Sequence, residues 1–534
     1  MSTKKQKAYV NLVLNAHLPY IRQVENEDSF EEDWYYEAVV ESYLPIVRSL
    51  KELDRRNVPF KITLVLSPSL IEMMKDSLLN ERLLKYIQKH IELGNKEVAR
   101  LANEPELLEN AKSILQEYKT AKRELTLRYR SVLDAFLSLP TDKVEFISTA
   151  ATHSLLPLYT SRPCFLNSSF AVSDKVHYDT FKKKTEGVWL PNGGYFPELD
   201  RYIKRNMLKT EYFFVPANSF ALSSSFIERS AYAPIKTKSG LYAFALDASL
   251  QDKVTSPILG YPGDDDYREF YRDIGYDLPF SYIGDYVHHS ENRGFTGYKY
   301  YAVSGKRETK EIYNKEKAYA KAQLHAEDFV KTLEEKADRV NSVVQDIPPI
   351  FNIAFDAELL GHWWKEGPLW LSKVISIINK SKILSFTNSK DYIRENASKI
   401  KDGELAYSYL SNGTYAYPYM DGDNNSLVRL IYGAIDTVED LSKRFKNETN
   451  PIKRRYVAMA VKNVLLLSAS DWPFILHNRT CPNYARSRIR EHLSNIDKVV
   501  SLLSGGKIET SWLVKAEKEY PLFEGLDFTT FSEI

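Results

Sequence analysis

The sequence predicts a parallel α/β barrel carrying a helical insertion and followed by a C-terminal helical domain. Three observations carry this reading. Short apolar runs recur along the chain and many end in a polar cluster, helical stretches separate many of them, and the runs stop at about Asp402, beyond which amphipathic helices follow. Strands alternating with helices imply a parallel sheet. Polar residues just past each strand end place a site on one rim of a closed barrel. Seven or eight strands suit closure better than an open sheet, which remains the alternative.

The runs come in this order. Ala8 to Leu14 leads into Asn15 and His17, and Lys61 to Leu66 into Ser67 and Ser69. Val144 to Ile147 leads into Thr149 and His153, Val188 to Leu190 into Asn192, and Tyr212 to Val215 into Asn218. Tyr242 to Leu246 leads into Asp247, Phe351 to Phe355 into Asp356 and Glu358, and Ile383 to Phe386 into Thr387 and Asn388. Helical patterns between them include Glu37 to Leu53 and Glu198 to Leu208.

Two regions break the alternation. Leu70 to Leu139 has charged faces and apolar spacing of three and four residues, which predicts helices inserted after the second strand. Leu427 to Phe445, Ile452 to Leu467 and Asn483 to Leu503 read as amphipathic helices, preceded by a Tyr-, Gly- and Asn-rich loop from Ala406 to Asn425. The expected division is a barrel at 1–72 and 140–401, an insertion at 73–139, and a C-terminal domain at 402–534.

Composition narrows the function. The chain has 534 residues, 43% hydrophobic and 27% charged, an ordinary globular balance. A net charge of +1 offers no electrostatic case for nucleic acid or anionic lipid. The 36 Tyr, 25 Phe and 7 Trp would suit sugar stacking and suit a large core equally well. Cys164 and Cys481 are the only cysteines, which fits thiols in a reducing compartment. The N-terminal apolar run reads as a strand rather than a signal peptide, so a cytoplasmic location is expected. No apolar stretch approaches membrane-spanning length.

The segment with the most chemistry is Phe355-Asp356-Ala357-Glu358-Leu359-Leu360-Gly361-His362-Trp363-Trp364. The apolar strand is expected to deliver Asp356 and Glu358, two residues apart, to the same face. A carboxylic acid beside aromatic walls suits protonation of a glycosidic oxygen. Histidines at strand ends, such as His17 and His153, are more often structural hydrogen-bonding groups than ligands. No short His, Cys or carboxylate spacing supports a metal. Pro191-Asn192-Gly193 has turn chemistry, and Asp471 and Trp472 end a predicted helix.

As a set, these segments resemble glycoside hydrolase family 57, in its subgroup of α-glucan branching enzymes and related α-amylase-like proteins. The matching stretches are Ala16-His17-Leu18-Pro19-Tyr20, Ala151-Thr152-His153, Trp189-Leu190-Pro191, Gly260-Tyr261-Pro262-Gly263-Asp264 with Tyr267 to Asp273, Phe355 to Trp364, and Ser470-Asp471-Trp472. The resemblance covers nearly the whole chain, in order. It implies a (β/α)7 barrel with an inserted helical region and a C-terminal helical domain. It also implies cofactor-free retaining chemistry on α-1,4-glucan such as glycogen, starch or maltooligosaccharide.

Retention needs two carboxyl groups about 5–5.5 Å apart, one as acid/base and one as nucleophile. The resemblance makes Asp356 the acid/base and puts Asn192 where the nucleophilic Glu belongs. It assigns substrate contact to His17, His153, Trp34, Glu358, His362, Trp363, Asp471 and Trp472. Asn15 stands where the family usually has His, Leu246 where it has Arg, and Thr255 where a Trp is expected. Tyr409 to Gly413 replaces a tryptophan-containing glycine motif, and Tyr419 another Trp.

A neutral amide forms no glycosyl ester and supplies no negative charge to an oxocarbenium-like transition state. The first expectation is therefore an impaired homologue that binds glucan or partners an active family 57 enzyme. The alternatives are an active branching enzyme or glucanotransferase using Glu358, Asp471 or, less readily, Glu198, and an inverting reaction by Asp356 with a water-activating base. Deamidation at Asn192-Gly193, giving a carboxylate there, is a fourth.

Overall fold

The computed structural model describes residues 7–224, 227–256, 259–287, 293–304, 309–410, 416–422 and 424–532. Its strands are β1 (Ala8–Ala16), β2 (Ile62–Leu66), β3 (Val144–Ile147), β4 (Gly187–Trp189), β5 (Tyr212–Pro216), β6 (Ile235–Lys236), β7 (Tyr242–Leu246), β8 (Ile350–Asp356), β9 (Leu384–Phe386) and β10 (Lys401–Asp402). All eight apolar runs become strands.

Pairing closes a ring. β1 pairs with β2, β2 with β3, β4 with β5, β5 with β7, β7 with β8, and β8 returns to β1, all in parallel. The β3–β4 link is a parallel bridge from Ser148 to Val188, with Trp189 N donating to Ser148 O at 2.9 Å. The barrel thus has seven strands. The eighth predicted strand, β9, lies outside the ring and pairs with the first residues of β1. β6 runs antiparallel to β7 and carries β10. Neither short strand has a periodicity long enough to read in the sequence.

Alternation along the strands sets what reaches the rim. In the register of β1 against β8, Asn11 faces Asn352 and Asn15 faces Asp356. Asn11 Nδ2 donates to Asn352 Oδ1 and to Ser389 Oγ, both at 3.1 Å, and Thr63 Oγ1 donates to Asn11 Oδ1 at 3.3 Å. The asparagine that interrupts the first apolar run is therefore a buried, bonded residue inside the fold. Two residues further along the same face comes Val13, and then Asn15 at the rim.

The region from 70 to 139 is helical as expected, with helices Pro68–Lys75, Ser77–Arg100, Pro105–Leu127 and Val132–Leu137. Helices Asn424–Arg444, Pro451–Leu467, Asp471–Asn478, Pro482–Ser504 and Thr510–Glu519 form the C-terminal part. Asp471 opens a new helix after Ser468 caps the previous one; the sequence reading put it at a helix end. A long helix, Lys315–Val343, precedes β8 and packs on the helix Gly367–Ile378. Among the described residues no helix is long and apolar enough to cross a membrane.

Candidate active site

Because the barrel strands are parallel, their C-terminal ends share one rim, and the rim is where the polar residues gather. Asn15 Nδ2 donates to Asp356 Oδ1 at 3.1 Å. Asp356 is exposed at the end of β8, yet the surrounding protein crowds it. Burial pushes its carboxyl above the ordinary aspartate value, while the Asn15 hydrogen bond and His17 pull it back. That direction suits a proton donor.

Glu358 departs from its expected place. The strand ends at Asp356, and Glu358 sits in the 3-10 turn Ala357–Leu359, so strand alternation does not carry both carboxylates to one face. Glu358 is buried, and its Oε1 accepts Tyr43 Oη at 2.5 Å and His17 N at 3.2 Å. Burial, reinforced by the Asp356 charge, pushes its carboxyl up to about 8. Its burial and two hydrogen bonds leave it committed to the scaffold.

His17 is held at both ring nitrogens. Its Nδ1 meets Ser67 Oγ at 2.8 Å, and its Nε2 lies 3.2 Å from both carboxylate oxygens of Asp471. Ser67 also caps the Pro68–Lys75 helix through Leu70 N. The His17 ring stacks on His153 with centroids 4.0 Å apart and planes 11° from parallel.

Ser470 joins the rim to the C-terminal helices. Its hydroxyl donates to His153 O at 2.5 Å and accepts Asn192 Nδ2 at 3.2 Å. His153 Nδ1 lies 3.4 Å from the same oxygen. With the hydroxyl hydrogen spent on the carbonyl, Nδ1 is the donor in that contact, which leaves His153 Nε2 as a bare acceptor. Nε2 is buried and has no hydrogen-bond partner among the described residues.

Asn192 has φ 52° and ψ 25°, in the left-handed region that asparagine tolerates better than most residues. A strap lies over it: Leu410 N donates to Asn192 O at 2.8 Å, and Ser408 Oγ to Gly193 O at 3.1 Å. Tyr409 and Tyr419 are buried, edge to face at 5.7 Å. The rest of the replaced glycine motif, Ser411 to Gly413, lies outside the described residues. Gly193 N donates to Leu190 O at 2.9 Å, so the nitrogen that would attack the Asn192 amide is engaged, against the deamidation idea.

The loop after β8 rests on a π-helical stretch, Ala38–Tyr43, within the first long helical segment. Such a stretch re-aims consecutive side chains. Glu41 Oε2 holds His362 Nδ1 at 2.7 Å, Ser42 Oγ accepts His362 N at 3.0 Å, and Tyr43 holds Glu358. Gly361 has φ 120°, and a Cβ there would stand 1.9 Å from Glu41 O, so only glycine permits this approach. Trp363 stays 49% exposed and stacks on Phe270 at 4.3 Å.

Several expected contacts fall elsewhere. Trp472 is wholly buried, its Nε1 donating to Leu466 O at 2.8 Å, so it supports the rim from within the core and offers no face to a ligand. Trp34 is half-buried and edges onto Tyr484 at 5.8 Å. Glu198 is exposed and paired with Arg201. The Gly260-Tyr261-Pro262-Gly263 turn packs on the Lys315–Val343 helix, with Tyr261 stacked on His325 at 4.3 Å. Leu246 is buried. A depression of about 480 Å3, lined by Glu72, Lys175 and Phe523 among others, holds none of the rim residues. Tyr43 was missed, since nothing in a helical Tyr signals a bond to the Glu358 carboxyl. Ser470 was quoted only as part of a motif.

With this geometry in hand, known proteins can be compared. The model of glycosyl hydrolase family 57 matches residues 11–405, and that of the 1,4-alpha-glucan branching enzyme C-terminal region matches 430–531. The chain is 25% identical over 531 residues to a 1,4-alpha-glucan branching enzyme of Thermococcus kodakarensis, covering 93% of this chain and 74% of that one. Among solved structures, the alpha-amylase AmyC from Thermotoga maritima superposes with a TM-score of 0.92 at 31% identity over 99% of each chain. A GH57-type branching enzyme from Pyrococcus horikoshii shares the fold, with a TM-score of 0.87 at 24% identity over 98% of this chain and 97% of that one.

Proposed function

The chain belongs to glycosyl hydrolase family 57, and from that premise we propose that it acts on or binds α-1,4-glucan and is catalytically impaired at Asn192. One observation carries the reading: Asn192, at the position the resemblance gives to the nucleophile, is a carboxamide whose Nδ2 is committed to Ser470, while Asp356 keeps an acid's environment. The acid can still protonate a leaving oxygen. The ester step has no carboxylate to form it, and the loss of charge removes much of the transition-state stabilisation.

The rim supplies no ready substitute. Glu358 is buried and doubly hydrogen-bonded, and Asp471 is bound to His17. An active branching enzyme or glucanotransferase built on either would have to free it first. An inverting reaction through Asp356 and water would need a second base, and the neutral His153 is a weak one. The substrate contacts at His17, His153, His362 and Trp363, the domain limits 1–72 with 140–401, 73–139 and 402–534, a cytoplasmic setting, and partnership with an active family 57 enzyme belong to the same proposal.

The test is incubation with amylose, scored for new branch linkages and reducing ends. We expect activity near background, and Asn192→Glu to raise it, with Asp356→Asn abolishing the gain. Ordinary turnover by the unmodified chain that survives Asp356→Asn would refute the site. Failure of glucan to retard the chain in an affinity gel would refute binding.

A further inference from the structure

Aromatic side chains lead away from the rim in a continuous chain. Trp363 N donates to Glu358 O at 3.3 Å, which anchors Trp363 beside the loop that carries the acid. Its ring stacks on Phe270. Phe270 meets Tyr271 at right angles with centroids 5.0 Å apart, and Phe295 at 5.3 Å. Phe295 in turn meets Tyr276 at 5.2 Å. Tyr271 is 73% exposed and Tyr276 44%, while Phe270 is buried. A single exposed ring needs no explanation, but a contiguous run of them marks a contact surface.

These rings are held in place. Asp273 is buried, and its carboxylate accepts Gly275 N at 2.8 Å, Thr296 N at 3.0 Å, Thr296 Oγ1 at 2.7 Å and Gly297 N at 2.9 Å. Those bonds tie the segment bearing Tyr271 and Tyr276 to the one bearing Phe295. Arg293 adds a second tie, donating to Gly275 O at 2.8 Å and Leu278 O at 2.9 Å. Lys299 Nζ lies 4.0 Å from the Phe270 centroid and 4.5 Å from that of Phe295, a cation against both rings. A surface fixed in this way loses little freedom when a ligand settles on it. Between the two tyrosines, Arg272 Nε pairs with Asp277 Oδ2 at 2.8 Å, and both side chains stay partly exposed, offering donors and an acceptor to hydroxyl groups.

We infer that these rings form a track that carries an α-glucan chain outward from the candidate site, so that the protein favours long chains over short maltooligosaccharides. The inference rests on the glucan reading above. Two features select a sugar chain as the occupant. The path is continuous with the candidate site through Trp363, so one polymer can lie on both. Among the described residues from 260 to 300, the large hydrophobic side chains left exposed are Tyr271 and Tyr276, flat rings with a polar edge, and no aliphatic one joins them. A contact this far out strengthens binding only of a ligand long enough to span the interval.

Calorimetric titration of the whole chain with maltotriose and with amylose tests the track. We expect the parent to bind amylose more tightly. Tyr271→Ala combined with Tyr276→Ala should cut the amylose affinity roughly two- to tenfold and the maltotriose affinity far less, with the unfolding midpoint unchanged. Tyr271→Trp, which keeps a flat ring, should keep the amylose affinity. Amylose binding that is the same in the parent and in the double alanine variant overturns the track and leaves the glucan reading standing; the rings then face a protein partner. Equal losses for both ligands overturn it too, because they put the rings in the central site. If the parent binds neither ligand, the glucan reading fails and this inference falls with it.

Discussion

His17 and His153 stack ring on ring, 4.0 Å between centroids, and only His17 has a carboxylate at hand. Burial first, and then His17, hold the His153 ring well below the ordinary value of 6.5. It stays neutral when folded, while the unfolded chain takes up a proton below 6.5. The stability tied to His153 is therefore whole above pH 6.5 and is lost as pH falls below it. The slope is about 1.4 kcal/mol per pH unit for one proton. His177, held down to about 3, and His492 act in the same direction, whereas Glu358, raised to about 8, acts in the opposite one. The comparison that isolates the effect is wild type against His153→Asn, since Asn tolerates the φ of 56° there. Urea unfolding from pH 7 to 5 should show a shallower loss in the variant; identical slopes would defeat the assignment.

Ser470 ties both His153 O and Asn192 Nδ2 to the C-terminal helices. Ser470→Ala leaves the buried His153 carbonyl and the half-buried Asn192 amide without that partner, at about 1–3 kcal/mol for the buried group and less for the other. We expect loss of stability in urea together with weakened glucan binding. A variant as stable as the parent would mean the hub is not a structural tie.

The barrel was legible because each strand run is apolar and each ends in a polar residue, a pattern that survives without knowing the pairing. Closure was not legible. It depends on Ser148 meeting Val188 and on Leu246 meeting Asn352, contacts between segments 40 and 106 residues apart. Asp356 and Asn192 could be placed just at or past the ends of their strands, but the fate of Glu358 could not. Strand periodicity predicts a shared face only while the strand continues, and this one ends at Asp356. Trp472 was misjudged for a related reason: a Trp beside an Asp looks like a sugar platform until burial is known.

Trp363 and Trp472 should therefore respond oppositely. Trp472→Ala removes a wholly buried ring and its hydrogen bond, and should cost about 3–5 kcal/mol of stability. Trp363→Ala removes a half-exposed ring and should leave unfolding nearly unchanged while weakening maltooligosaccharide binding roughly tenfold, about 1.4 kcal/mol. Calorimetry for unfolding and for binding separates the two. If Trp363→Ala binds glucan as the parent does, the exposed ring is no platform.

Asn192→Glu should trade stability for chemistry. Asparagine tolerates the left-handed backbone at φ 52°, and glutamate there costs about 1 kcal/mol. Close packing holds this backbone in place: the adjoining Gly193 also has positive φ, and a Cβ on it would stand 2.6 Å from Pro216 Cγ and 2.7 Å from Leu410 Cγ. The new carboxylate would lose the Nδ2 donation to Ser470, whose oxygen could then only repel it or turn to donate. If Ser470 turns, His153 O loses its donor, so Asn192→Glu and Ser470→Ala should be coupled. A double-mutant cycle on stability measures this. We expect the double variant to be more stable than the sum of the single losses; strict additivity would show that Asn192 and Ser470 are neighbours without an energetic link.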